Sequence, residues 1–182
     1  MHVRWSALRG TLVLDEDTQD CVGILARPLV DPDTGSILGF FVRTLPSFTG
    51  DKFLSTQDIL SVGTKVHIRS ADMLSPPGEI IRLQKHLEDP RPFFGQHIRI
   101  RSSGKSLGRC SDVQFDTRHF LLEWMFPRGL FFFGQPIAAS EIIEVTVDAI
   151  WIKEPLREQK EKLKKEQKEI TRSLIPEITP SM

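Results

Sequence analysis

The amino-acid sequence predicts a mainly β chain: two tandem small β-barrels, a helix that links them and a charged C-terminal helix. Three observations predict this architecture: short segments of alternating side chains, turn-forming residues between those segments, and a glycine–aspartate spacing that occurs twice. The 182 residues have room for one medium domain or two small ones. A content of 40% hydrophobic and 26% charged residues is typical of a soluble globular protein.

The repeat is anchored by two glycines and one aspartate in each copy: Gly10, Gly23 and Asp31, then Gly95, Gly108 and Asp116. The interval between the two glycines is the same in both copies, and so is the interval from the second glycine to the aspartate. The offset between the copies shortens by two positions further along, where Ile59 matches Ile142. We infer an internal duplication in which loop length has changed.

The segments of each copy have the pattern of β-strands. Leu12 and Leu14 alternate with Thr11 and Val13 in the first copy. In the second copy Ile98 and Ile100 alternate with Arg99 and Arg101, and both period-2 patterns indicate strands. Polar turns follow, and longer strands are predicted over 22–30 and 107–115. Residues 31–35, Asp-Pro-Asp-Thr-Gly, predict a hairpin turn, because proline presets φ, aspartate bonds the local backbone and glycine accepts positive φ.

The continuously apolar segment over 37–42 predicts a buried strand, and residues 120–126 are its counterpart in the second copy. Gly23 and Gly108 lie early in strands, where glycine marks a bulge or a close approach of two backbones. Short strands separated by turns favour a small barrel over a layered α/β fold.

These patterns divide the chain into a first domain (1–75), a linker (76–92), a second domain (93–153) and a tail (154–182). In the linker, apolar residues at 80, 83 and 87 predict a short helix that packs on a barrel.

The tail is rich in Glu, Lys, Gln and Arg, which favours a helix with a disordered end. Its Leu156, Leu163 and Ile170 recur every seven residues, but one apolar position per heptad is a poor coiled-coil seam. A solvated helix and a helix docked on a barrel or a partner therefore both remain open.

The repeat of glycines and aspartate, followed by a strand pair and a short polar–apolar element, resembles the PRC-barrel domain. That family includes the C-terminal domain of the ribosome maturation factor RimM and the cytoplasmic domain of the photosynthetic reaction-centre H subunit. The resemblance covers about residues 7–69 and 93–152. It implies two small β-barrels that mediate contacts, with no catalytic residues to carry over.

No motif in the sequence predicts catalytic, cofactor-binding or metal-ligating residues. Asp31, Asp33 and Gly35 imitate the start of a calcium loop, but Val42 stands where such a loop needs a glutamate, so a turn is favoured. The five histidines have no metal-binding spacing, and nucleotide-binding and nucleophile motifs are absent. We therefore expect no enzymatic activity and no cofactor.

A polar surface is predicted on the second copy, formed by Arg99, Arg101, Lys105 and Arg109. Such a patch suits RNA phosphates or an acidic protein surface. Alternating arginines on an exposed strand also keep a sheet edge soluble. Equal numbers of basic and acidic residues, 24 of each, give no electrostatic case for nucleic-acid binding by the whole chain.

An apolar interface is predicted at Phe131, Phe132 and Phe133, because a small barrel cannot enclose all of these rings. They are expected to pack between the two barrels or to bind a partner. The chain is then either a monomer with a pseudo-twofold axis or a homodimer.

These expectations combine into a cytoplasmic interaction module that binds a protein partner. The alternative is an RNA- or ribosome-associated factor in ribosome maturation or RNA processing. No membrane association is expected, since the longest apolar run is far shorter than the roughly 20 residues of a spanning helix. The two cysteines, Cys21 and Cys110, are expected to be reduced and buried.

Overall fold

The computed structural model describes residues 1–44, 50–129 and 134–154, and most of them lie in short β-strands. The first part contains β1 (His2–Arg4), α1 (Trp5–Leu8), β2 (Leu12–Asp15), β3 (Cys21–Val30), β4 (Ile37–Thr44), β5 (Asp51–Ser55), β6 (Ile59–Val62) and β7 (Val66–Ile68). After α2 (Ile81–Leu87) come β8 (His97–Ile100), β9 (Ser106–Asp116), β10 (Leu121–Arg128), β11 (Ile137–Ala138), β12 (Ile142–Val145) and β13 (Ala149–Ile152). The prediction of a mainly β chain is confirmed.

The described strands form two sheets that have the same order. One sheet runs β5-β4-β3-β2-β7-β6, and the other runs β11-β10-β9-β8-β13-β12. In each sheet one pair is parallel, β2 with β7 and β8 with β13, and the other pairs along this order are antiparallel. We refer to the two sheets as the first and second units.

The register between neighbouring strands is also the same in the two units. Val13 lies opposite Gly23 in the first unit, and the equivalent Ile98 lies opposite Gly108 in the second. The β3–β4 pair has an irregularity at residue 26, and the β9–β10 pair has one at residue 111. Because bulges fix register, their repetition supports the inferred duplication.

One hydrophobic cluster runs through both units. Its centre is aromatic: Phe40 of the first unit lies 6.0 Å from Phe115 and 6.2 Å from Phe120 of the second, measured between ring centroids. Trp5 of α1 stacks on the same Phe40 ring at 5.9 Å. The two units therefore share one core rather than two separate ones.

The N-terminal strand belongs to the second sheet, although it begins the first part of the chain. His2, Val3 and Arg4 of β1 pair with β9. Ser6 and Arg4 donate hydrogen bonds to the buried carboxylate of Asp112, at 2.6 Å and 3.0 Å. No pattern in residues 1–8 predicted this strand or its pairing.

The linker helix forms as predicted and packs on the first unit. Leu83 of α2 is buried against Phe41 and Phe53, with Ile80 and Leu87 beside them. Neither of the helices in the described ranges has the length or apolar character needed to cross a membrane.

One expectation about the cysteines is wrong. Both are free thiols, and Cys110 is buried, but Cys21 is exposed at the start of β3. Cys110 is the counterpart of Leu25, which is also buried, whereas Cys21 begins its strand directly after the exposed polar turn.

Candidate interaction surface

The outer face of β8 and its neighbours carries the predicted basic residues. Ile98 and Ile100 of β8 are completely buried, so the alternating His97 and Arg99 lie on the opposite, outer face. The prediction that residues 98–101 alternate between a buried and an outer face is confirmed.

The strands beside β8 place three further residues opposite these side chains. Arg99 lies between Trp151 of β13 and Ser106 of β9. His97 lies opposite Arg109 of β9. The parallel β8–β13 pair thus brings an aromatic ring next to the arginines.

Arg101 follows β8 directly and has two partners on this face. Its guanidinium forms an ion pair with Glu144 of β12, and its Cζ lies 5.3 Å from the centre of the Trp151 ring. The side chain is still 55% exposed, so the ion pair is screened by water.

The hairpin between β8 and β9 carries the other two predicted cations. Lys105 is exposed beside the turn, and Arg109 is exposed with its guanidinium donating to the Gly95 carbonyl at 2.8 Å. The structure therefore gathers all four predicted basic residues on one hairpin. Arg118, also close in sequence, lies beyond the other end of β9.

His97 is a member of this surface that the sequence did not single out. Its Nδ1 atom is buried and has no hydrogen-bond partner in the described part of the chain. Burial, together with the charges of Arg109 and Arg99, lowers the pKa of His97 from its ordinary value. The neutral ring is therefore favoured at neutral pH. Its alternation with the buried Ile98 was the available signal.

The same face of the first unit has a different composition. The counterparts of His97, Arg99, Arg101, Lys105 and Arg109 in the repeat are Leu12, Leu14, Glu16, Asp20 and Ile24. His67 stands where the second unit has Trp151, and its Nδ1 is 2.9 Å from the Glu16 carboxylate. One backbone geometry thus presents an acidic and apolar face in one unit and a basic face in the other. We call the second of these the basic face.

The repeat anchors have structural roles that explain their spacing. Gly10 and Gly95 have positive φ values of 84° and 77°. Their N–H groups donate to the equivalent carbonyls of Leu25 and Cys110. At Gly23 and Gly108 the neighbouring strand is so close that a Cβ atom would collide with its backbone. The predicted close approach at these two glycines is confirmed.

The two anchor aspartates begin the turns after the long strands. Asp31 accepts a hydrogen bond from the Asp33 N–H, as expected for a hairpin turn. Burial acts to raise the pKa of Asp116, but hydrogen bonds from the N-terminal ammonium and from His119 outweigh it and hold the pKa below its usual range. Both residues organise turns.

A cavity of about 340 Å³ lies between residues 32–35 of the first unit and β12 of the second. Arg91 lines it and donates to Asp33 at 2.6 Å, to Asp89 at 2.7 Å and to the Val145 carbonyl. The guanidinium therefore joins a hairpin, the linker and the second unit, and its charge is balanced by two carboxylates.

Phe131, Phe132 and Phe133, the predicted apolar interface, lie outside the described residues, as does the tail from residue 155. Within the described ranges, no three His, Cys, Asp or Glu side chains gather as a metal site.

Comparison with known proteins gives no family for this chain. No protein-family model matches it, and no curated protein does.

Proposed function

We propose that this chain is a non-enzymatic interaction module of the cytoplasm, built from tandem PRC-barrel-like units, that binds the acidic surface of a protein partner through its basic face. The observation that carries the proposal is the difference between equivalent faces of the two units. Lys105 and Arg101 replace Asp20 and Glu16 on the same hairpin.

Fold stability does not account for this difference. The first unit forms the same strand pairs with leucine, isoleucine and carboxylates at these positions. Clustered arginine and lysine side chains repel one another, and exposed ion pairs contribute only about 0–1 kcal/mol each. A concentration of like charge on one face is instead useful for attracting and orienting an oppositely charged partner.

The basic face also has the composition of a protein-binding surface. Trp151 is partly exposed and lies beside Arg99, and tryptophan and arginine are among the side chains most enriched at binding hot spots. Glu144 pairs with Arg101 and adds a negative charge to the basic face. A surface that carries both signs of charge helps to fix the orientation of a protein partner.

Closure of each sheet into a barrel belongs to the same proposal. In each unit a 3-10 turn, Thr56–Asp58 or Ala139–Glu141, connects the strand at one end of the sheet order directly to the strand at the other end. So short a connection supports neighbouring ends and hence a barrel-like form.

RNA is the second candidate partner, and one observation favours it. The Arg101 guanidinium lies near the Trp151 ring, and aromatic rings flanked by arginines bind unpaired bases. Against it, Glu144 would repel phosphate.

Capture experiments separate the two candidates. The tagged full chain is incubated with lysate, with and without nuclease, and bound material is identified. The proposal predicts recovery of a protein partner that is insensitive to nuclease and is lost when Arg99→Leu and Lys105→Asp give the second unit the residues of the first. Arg118→Asp, beyond the far end of β9, is the matched control. Recovery that depends on intact RNA would refute the protein-binding proposal and support the alternative.

A further inference from the structure

The turn between β2 and β3 has the same backbone geometry as the turn between β8 and β9. The Gln19 N–H donates to the Asp15 carbonyl at 2.9 Å, and the equivalent Gly104 N–H donates to the Ile100 carbonyl at 2.8 Å. Gln19 and Gly104 also share a positive φ, 61° and 67°. The two units therefore present turns of the same shape that differ in their side chains.

The turn of the first unit is acidic. Residues 15–20 contain four carboxylates and no basic side chain, and three of those carboxylates, Glu16, Asp17 and Asp20, are exposed. The fourth, Asp15, is buried and accepts hydrogen bonds from backbone N–H groups, including that of Asp17. The exposed side chains of this turn therefore carry negative charge, whereas those of the equivalent turn belong to the basic face.

Apolar side chains lie beside the charges in both units. Leu12 is on the outer face of β2, opposite Ile24 of β3, and it is 40% exposed. On the second unit the partly exposed Trp151 lies next to Arg99. Each face thus combines charge with apolar area, as protein-binding surfaces do. We call the surface of the first unit the acidic face, and it consists of Leu12, Glu16, Asp17, Asp20 and Ile24.

The two faces lie at opposite ends of the molecule. β3 runs from the acidic turn toward the place where the units meet, and β9 runs from the basic turn toward the same place. The ten residues of β3 span about 30 Å, since a strand rises about 3.3 Å per residue. The bridge that joins the units, between Ser36 and Leu121, is antiparallel, so the strands lead away from it in opposite directions. The acidic face of a molecule therefore cannot reach its own basic face.

A second molecule of this chain offers an acidic surface of the kind that the basic face is proposed to bind. Arg101 and Lys105 of one copy are opposite in charge to Glu16 and Asp20 of another. The whole chain has 24 basic and 24 acidic residues, so no net charge of one sign keeps the copies apart. Opposite charges at the two ends favour an approach in which unlike ends meet.

We propose that this chain assembles head to tail, with the basic face of one molecule bound to the acidic face of the next. The proposal rests on the proposed function of the basic face and names its partner, a second copy of the chain. The contact joins two different surfaces, so each pair still presents one face of each kind. Further molecules can therefore add to the assembly.

Sedimentation of the full chain in low salt tests the proposal. The variant Arg101→Gln and Lys105→Gln neutralises the basic face, and the variant Glu16→Gln and Asp20→Asn neutralises the acidic face. The mass of the wild type is expected to increase with concentration, whereas each variant alone associates at least about tenfold more weakly. An equimolar mixture of the two variants is expected to form a 1:1 complex and to stop there, because each variant supplies the face that the other lacks.

Two controls accompany the mixture. The matched variant Glu79→Gln and Arg118→Gln removes one charge of each sign at exposed positions away from both faces, and it should assemble as the wild type does. Salt at about 1 M shortens the electrostatic screening length to about 3 Å and should dissociate the wild-type assembly.

Two results would overturn the proposal. A wild type that stays monomeric in low salt at all concentrations shows that the copies do not bind one another. An oligomer that both variants retain, or a mixture that associates no better than its components, shows that the contact does not join these two faces. If the monomeric wild type still binds an acidic peptide, head-to-tail assembly fails while the proposed function stands, whereas loss of both activities overturns both.

Discussion

Ser36 and Leu121 form a β-bridge between the two units, and each is the counterpart of the other in the repeat. The Ile37 N–H donates to the Phe120 carbonyl at 2.7 Å, and the Leu122 N–H donates to the Gly35 carbonyl at 2.9 Å. Residues 35 and 37 correspond to residues 120 and 122 in the repeat. Interchanging the two units therefore converts each of these hydrogen bonds into the other. The units therefore meet through a pseudo-twofold contact, the arrangement in which two identical chains form a dimer.

Because the two units share a core, we predict that Phe40→Ala greatly lowers the free energy of unfolding. The Phe40 ring is almost completely buried and contacts rings of the second unit, so its removal leaves a cavity between the units. We expect a loss of about 3–5 kcal/mol in the free energy of unfolding, measured by urea denaturation. Leu60→Ala, at a half-exposed position, is the control, with a change within about 0.5 kcal/mol. Similar losses for the two variants would contradict a core that joins the units.

Asp112→Ala is expected to release the N-terminal strand. The substitution leaves the Ser6 hydroxyl and N–H and the Arg4 guanidinium without their acceptor, at a cost of about 1–3 kcal/mol. Hydrogen exchange at residues 2–6 should become faster, while exchange in β4 should change little. Uniformly faster exchange would instead indicate a global loss of stability.

The two kinds of repeat glycine should respond differently to alanine. At Gly95 the φ of 77° disfavours alanine, but no atom lies within 4 Å of the added Cβ. We expect Gly95→Ala to cost about 1–2 kcal/mol. At Gly108 the φ of 113° is combined with a collision against the Arg128 carbonyl, so Gly108→Ala should cost more. Thermal unfolding of both variants shows which substitution destabilises the fold more. A smaller loss for Gly108→Ala than for Gly95→Ala would contradict the close backbone approach at Gly108.

The Arg91 cluster predicts a pH dependence of stability. Hydrogen bonds from the Arg91 guanidinium lower the pKa values of Asp33 and Asp89. A carboxylate whose pKa is lower in the folded state stabilises the fold above its unfolded pKa of about 4 and loses that contribution as pH falls through the folded pKa. The melting temperatures of the wild type and of Arg91→Gln should therefore differ at neutral pH and converge in strong acid, below the folded pKa values. A difference that is constant with pH would exclude the ion pairs as its source.

Much of the fold could be predicted from local patterns, because alternation and turn residues act within a few positions of each other. The strand around Ile98, the 31–35 turn and the α2 stripe all followed from such patterns. The strand at Leu12 also forms, but the predicted alternation fails there, because Val13 and Leu14 are both buried and Leu12 is exposed. The pairing of β1 with β9 could not be predicted, since it joins residues that are far apart in the sequence and β1 has only three residues.

The residues of the basic face also divide into those that could be predicted from the sequence and those that could not. Arg99 and Arg101 were identified because they alternate with buried isoleucines on one strand. The placement of Trp151 and Glu144 beside them depends on the parallel β8–β13 pair and its antiparallel neighbour, which bring together residues that are distant in sequence. The charge difference between the units became interpretable only when the repeated register showed which residues correspond.

The most direct test of the proposed function is the affinity of the full chain for a fluorescent peptide of alternating Glu and Asp, measured by anisotropy over a range of salt. The variant Arg99→Leu, Lys105→Asp and Arg109→Ile gives the basic face three residues of the first unit. We predict that it binds the peptide at least about tenfold more weakly, equivalent to about 1.4 kcal/mol, and with a smaller salt dependence. Arg118→Asp should bind as the wild type does. Equal affinity of the triple variant and the wild type would contradict the claim that the second unit binds acidic partners through this face.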